Sequence, residues 1–209
     1  MKYVVKVGVI KAGYANYHSI MNAINHCGYD VKLIERANDN NDITHLILPG
    51  VGQFGAVVKN LRKKGLDDYI NEHVEKGRAL LGICVGFQLL FSESEESKGI
   101  SGLNYFPEKI VNLNDKVRTV PNIGWRKVKN NKSSLFKKNK KKLENNFYFA
   151  HSFFLPNKNK KEFISSIKLD KTKIVIAVEK NNIMGVQFHP EKSSRYGIEL
   201  LKNFCSYSI

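Results

Sequence analysis

Cysteine is scarce in this chain, acidic residues are few and no long apolar run occurs, and each shortage argues against a class of protein. The 209 residues hold three cysteines, Cys27, Cys84 and Cys205, far apart and without a C-x-x-C pair. An odd count at such spacing argues against both a disulfide scaffold and a zinc cluster, and no metal is expected. Cys27 and Cys205 fall in helix-like patterns and read as core thiols, which free cysteines commonly are. No stretch approaches the roughly 18 apolar residues of a membrane-spanning helix. The opening Met1-Lys2-Tyr3-Val4-Val5-Lys6-Val7 has lysine inside its apolar stretch and no small-residue cleavage site. It reads as a strand and not as a signal peptide, and the expected location is cytoplasmic.

Against 34 lysines and arginines stand only 19 acidic residues, a net charge of +15. Such an excess invites a nucleic-acid reading. The excess is concentrated, however, with eight lysines between positions 127 and 142 and a second cluster at Lys158, Lys160 and Lys161. These runs are rich in asparagine, poor in aromatic residues and without arginine, the side chains that stack on bases or fork onto phosphates. They read as solvated loops, with an acidic partner surface as the alternative and nucleic acid not expected.

Hydrophobic residues make up 42% of the chain, enough for a packed core. In the first half, strand and helix patterns alternate. Apolar, β-branched runs at Tyr3–Ile10, Val31–Ile34, Ile43–Leu48 and Ala79–Ile83 read as buried strands. Helical stripes lie at Asn16–Cys27, at Phe54, Val57, Val58 and Leu61, and at Leu66, Tyr69, Ile70 and Val74. Another helix is expected to run from Gly86 through Phe91. Strands spaced by helices imply an open, mostly parallel twisted sheet flanked by helices, an α/β fold. The second half reads as short additional strands at Lys109–Leu113, Ile123–Val128, Asn146–Phe154, Phe163–Ile167, Ile174–Val178 and Met184–Phe188. A last helix carries Ile198, Leu201 and Phe204 on one face. With no repeat and no linker, residues 1–209 are expected to form a single domain.

Two loops at strand ends, Pro49–Gly52 and Gly82–Gly86, stand where open α/β sheets bind ligands. The second reads Gly82-Ile83-Cys84-Val85-Gly86, a cysteine between glycines at a strand-to-helix junction, the cysteine form of a nucleophile elbow. The sharp turn strains the nucleophile, and glycine two residues either side removes collisions with neighbouring backbone. The following helix's positive N-terminal end favours thiolate, and N–H groups such as that of Val85 can donate to an oxyanion. A buried structural cysteine is the alternative for these five residues alone.

Among six histidines, His18, His26, His45 and His73 have no acidic partner at useful spacing and read as structural or surface residues. His189 ends a strand and precedes Pro190-Glu191. Proline confines the residue before it to extended conformations, so His189 and Glu191 stand in a fixed relation. The carboxylate can accept from one imidazole nitrogen while the other takes a thiol proton. Cys84, His189 and Glu191 are therefore the expected catalytic residues.

These residues resemble those of the class I, triad-type glutamine amidotransferases over nearly the full length. Gly82-Ile83-Cys84-Val85-Gly86-Phe87-Gln88 is similar to that family's G-x-C-x-G-x-Q segment, and Gln187-Phe188-His189-Pro190-Glu191 to its Q-F-H-P-E segment. Pro49–Gly52, Pro121-Asn122-Ile123-Gly124-Trp125 and Tyr148–Phe153 resemble one branch, the HisH-type glutaminase subunits of imidazole glycerol phosphate synthase. The resemblance implies that Val51 and Gly52 lie beside the oxyanion site and reorient for turnover. It implies that Gln88, Ser152 and Phe153 help hold glutamine, with His151 in a positioning role. It further implies no cofactor and a heterodimer with a (βα)8-barrel synthase that uses the ammonia in histidine biosynthesis. Two departures bear on the partner: Lys11-Ala12-Gly13-Tyr14-Ala15-Asn16 replaces the branch's Asp-Tyr-Gly-x-Gly-Asn, and Arg126 replaces Asn after the tryptophan. A paralogue feeding ammonia to a synthetase of nucleotide-sugar or surface-polysaccharide precursors is the alternative. A cysteine peptidase or other acyl hydrolase is disfavoured by Gln88 and Pro49–Gly52.

Overall fold

The computed structural model describes residues 4–13, 15–37, 42–114, 116–128, 133–136, 145–158 and 160–208. Much of the lysine-rich run expected to be solvated loop, at 129–132 and 137–144, lies outside those residues.

Four strands form the parallel half of the sheet: β1 (Lys6–Ile10), β2 (Asp30–Ile34), β3 (His45–Leu48) and β4 (Ala79–Ile83). They lie side by side in the order β2-β1-β3-β4. β3 and β4 are buried at every residue, as strands covered on both faces must be. The covering helices are α1 (Tyr17–His26), α2 (Phe54–Lys63) and α3 (Leu66–Glu75). α1 starts where Asn16 Oδ1 accepts the Ser19 N–H at 3.1 Å, and it buries Ile20, Ala23 and Ile24 at helical spacing.

After β4 come α4 (Val85–Leu89), β5 (Phe91–Ser94), β6 (Phe106–Asn112), β7 (Asn122–Val128) and β8 (Asn145–His151). Then follow β9 (Phe153–Pro156), β10 (Ser165–Leu169), β11 (Thr172–Lys180), β12 (Ile183–Val186) and α5 (Ser194–Cys205). β12 returns to pair in parallel with β4, with Gly185 opposite Gly82 and Val186 opposite Ile83. β11 continues the sheet antiparallel, and β9, β6 and β5 extend it. The expected sheet, mostly parallel with antiparallel additions, is the observed one. β7 and β8 form a separate antiparallel ribbon.

Three details differ from the sequence reading. The helix expected from Gly86 through Phe91 stops at Leu89, and Phe91 opens β5. Leu103 N–H bonds the Leu89 carbonyl at 2.7 Å and Phe106 N–H bonds that of Leu90 at 3.1 Å, so tertiary pairing captures groups a longer helix would need. The strand expected over Asn146–Phe154 divides at Ser152, because β8 pairs with β7 whereas β9 joins β6 and β11. In α5 the buried side is Leu200, Leu201, Phe204 and Cys205, and Ile198 is half-buried, as is Cys27.

An aromatic cluster seats the ribbon on the rest of the core. Phe188, the residue before His189, stacks on Phe147 of β8 at 4.1 Å between ring centroids and meets Phe149 at 5.5 Å. All three are fully or almost fully buried, and burying one such side chain contributes roughly 1.5–3 kcal/mol. No helix among the described residues is long and apolar enough to cross a membrane.

Replacing the exposed cap residue, Asn16→Ala, is expected to lower unfolding free energy by about 1 kcal/mol in urea titrations. An unchanged midpoint would show that the cap contributes nothing.

Candidate active site

Cys84 stands between β4 and α4 with φ 56° and ψ −107°, a region that residues with a Cβ rarely occupy. The elbow is held by its neighbours. Cys84 N–H bonds the Val186 carbonyl at 2.9 Å, tying the nucleophile to the end of β12. A Cβ at Gly86 would stand 1.7 Å from the Leu48 oxygen, and one at Gly82 would stand 2.6 Å from the Gly86 oxygen. Both glycines are therefore there for close approach, as the sequence reading expected.

His189 follows β12, extended at φ −100° and ψ 95°, with Pro190 opening the short turn Pro190–Lys192. Its Nδ1 lies 2.9 Å from Glu191 Oε1, and its ring lines the same groove as Cys84, whose Sγ lies 3.8 Å from the Ala150 carbonyl oxygen. With Nδ1 committed to the carboxylate, Nε2 is the nitrogen left to serve the sulfur. Burial works to lower the His189 pKa, but the hydrogen bonds to Cys84 and Glu191 and their charges outweigh it and push it up to about 10. Glu191 is buried beneath, its Oε2 without a partner.

Beside Cys84 and His189 opens a groove of about 440 Å³. Val51, Gly52, Cys84, Val85, Gln88, Ser152, Phe153 and His189 all line it, so the structure gathers every expected site residue except the buried Glu191. Gln88 Nε2 bonds the Phe153 carbonyl at 3.3 Å and Gln187 Oε1 at 3.2 Å, which holds the carboxamide across the groove floor. The Val85 N–H, expected to serve an oxyanion, instead donates to the Gly50 carbonyl at 3.3 Å.

His151 also lines the groove but is buried. Its Nδ1 donates to the Phe153 carbonyl at 2.8 Å and its Nε2 accepts from Asn122 Nδ2 at 2.9 Å. Burial pushes its pKa down to about 4, against the pull of the Phe153 carbonyl and aided by the charges of His189 and Arg126. It is a neutral strut that shapes the 151–153 backbone.

Sequence reasoning missed Glu96, Lys192 and Ser193. Glu96 lines the groove while its carboxylate accepts the Phe54 N–H at 2.6 Å, and burial raises its pKa against that hydrogen bond. Its signal was the run Glu93-Ser94-Glu95-Glu96 in a chain otherwise poor in acid. Lys192 lines the groove, and Ser193 is fully buried beneath it; only their adjacency to Glu191 marked them.

The family model for class-I glutamine amidotransferases matches residues 9–206. The chain belongs to that family. The subunit HisH of imidazole glycerol phosphate synthase from Chlorobaculum tepidum is 36% identical over 195 residues, 93% of this chain and 96% of that one. The imidazole glycerol phosphate synthase hisHF of Emericella nidulans is 34% identical over 90% of this chain and 36% of its own length. Within the family, then, the chain sides with the HisH subunits. A solved structure of PurLQS from Thermotoga maritima shares the fold, with a TM-score of 0.74 at 18% identity over 97% of this chain and 98% of that one.

Gly86→Ala is expected to destabilise the fold by more than about 3 kcal/mol, since the clash is with backbone; a soluble variant with wild-type melting would contradict the packing. A second expectation concerns acid. His151 and His73 have folded pKa values lowered from 6.5 to about 4, His73 mainly by burial and against its bond to the Ala79 carbonyl. The folded state then binds fewer protons than the unfolded one, so their stabilisation is complete above about 6.5 and is lost as pH falls through about 4. Melting temperature measured across that window should fall less steeply for His151→Gln than for wild type.

Proposed function

We propose that this glutaminase works through Cys84, His189 and Glu191 and hands its ammonia to a synthase subunit. The observation that carries the reading is the buried His189 ring, bonded to the Glu191 carboxylate and lining, together with Cys84, one groove large enough for an amino acid.

His189 takes the Cys84 proton, and the sulfur attacks the side-chain amide carbon of glutamine. The tetrahedral oxyanion needs donors, and the Val85 N–H becomes one only when the Gly50 carbonyl withdraws from it. A flip of the Gly50–Val51 peptide accomplishes this and turns the Val51 N–H toward the same place. Glycine at 50 and 52 lets the backbone turn, and Gly52 already sits at φ +101°. One such donor is worth roughly 3 kcal/mol of barrier. His189 then gives its proton to the departing ammonia, Glu191 stabilises the imidazolium, and water hydrolyses the thioester to glutamate. Glu96 is placed to accept the α-ammonium of glutamine, and the Ser152–Phe153 backbone and Gln88 frame the rest.

The partner's docking surface is the ribbon beside the groove, where Ile123 and Trp125 stand 55% and 50% exposed near the 40% exposed Val51. By family resemblance the partner is a (βα)8-barrel synthase making imidazole glycerol phosphate in the cytoplasm. Arg126, which follows Trp125 in β7 where the branch carries Asn, supports the second reading, a paralogue serving another synthetase. Mixing the chain with each candidate synthase and measuring glutamine hydrolysis decides between them, the true partner being the one that raises it.

Cys84→Ala is expected to abolish glutamine hydrolysis, and an active variant would end the reading. Glu191→Gln removes a contribution that raises the His189 pKa. Its turnover should drop by about 10²–10⁴-fold, and the alkaline limb of kcat/KM should move to lower pH.

A further inference from the structure

We propose that Ser193 is a positioning residue for the catalytic base, closing a hydrogen-bonded ring that fixes His189 to the β7–β8 ribbon. The proposal rests on the reading of His189 as the base.

Ser193 is the residue before α5, where serine ordinarily caps a helix by accepting from its first-turn N–H groups. Its side chain makes no such bond here. The hydroxyl instead donates to the His189 carbonyl at 2.5 Å and accepts the Tyr148 N–H at 3.0 Å. The ring closes through the His189 N–H, which donates to the Tyr148 carbonyl at 2.9 Å. Both backbone polar groups of His189 and both of Tyr148 are thereby satisfied in one circuit, at a fully buried serine.

His189 lies beyond the last residue of β12 and pairs through an isolated antiparallel bridge to Tyr148 of β8. What holds it is this circuit together with Phe188 packed on Phe147. The circuit's anchor is the ribbon, where Tyr148 lies opposite Trp125 in register, with their rings 6.0 Å apart. Removing the hydroxyl takes the acceptor from the Tyr148 N–H and leaves the His189 carbonyl with the Lys192 N–H at 3.1 Å, which loosens the His189 backbone. A fraction of an ångström there lengthens the bonds from the ring to Glu191 and to Cys84 at once, which is where turnover is sensitive to position.

The test compares wild type, Ser193→Ala and Ser193→Thr in glutamine hydrolysis, with the chain alone and with its synthase present. For Ser193→Ala, kcat is expected to fall by about tenfold to a hundredfold with KM for glutamine within about twofold. The alkaline limb of kcat/KM should move to lower pH, and Ser193→Thr, which keeps the hydroxyl, should restore most of both. Ser193→Ala with wild-type kcat overturns the proposal, and so does a loss of kcat with an unmoved limb and no recovery in Ser193→Thr. If Ser193→Ala does not fold, Ser193→Cys, with a weaker donor of similar size, carries the same comparison and the same two refutations. Wild type that hydrolyses no glutamine would instead strike the underlying reading.

Discussion

The pairing of β4 with β12 is the constraint on which the site depends. Cys84 leaves the end of β4 and His189 stands just beyond the end of β12, so parallel adjacency brings residues 84 and 189 together. The register places Gly82 opposite Gly185. Both are glycines for one reason. A Cβ at Gly82 would meet the backbone of Gly86 and Phe87, and a Cβ at Gly185 would come within 2.7 Å of Leu90 and 2.9 Å of Phe87. The two glycines form a bare strip of sheet on which α4 lies close enough for its first turn to carry Cys84.

Strain at Cys84 and burial of charge at Glu191 are both unfavourable locally, and the surroundings offset them. The elbow is pinned by the Val186 carbonyl on one side and by contact with the Leu48 backbone on the other. The carboxylate is buried but faces an imidazole whose pKa lies far above its ordinary value, so it is paired with a cation. Desolvation alone would have made His189 a weak base, as it makes His151 one in the same groove. The difference lies in hydrogen-bonding partners: His151 faces a neutral carbonyl and an amide, His189 a carboxylate and a thiol.

Much of this was legible in one dimension because the residues concerned obey local rules. The first-half strands are short runs dominated by apolar, β-branched residues, and Ala79–Ile83 coincides with β4 residue for residue. Cys84 carried its own flanking glycines, and Pro190 advertised the fixed spacing of His189 and Glu191. The second half was read less well. β5 left no strand pattern, since its only apolar residue, Phe91, reads as the end of the helix, and what ends α4 is a set of carbonyls taken by residues 103 to 106. The break at Ser152 was hidden because both sides of it are equally strand-like, and only different pairing partners separate them.

The sequence by itself determined the parallel α/β half, the elbow at Cys84 and the fixed spacing of His189 and Glu191, since each follows from contacts within a few residues. Tertiary structure alone decided which groups surround them. Glu96 reaches the groove from a turn beyond β5, the Gly50 carbonyl occupies the Val85 N–H, and the Ser193 hydroxyl turns away from its own helix to Tyr148 and His189. Such choices depend on which distant backbone group stands unsatisfied within about 3 Å, and no pattern of neighbours along the chain encodes that.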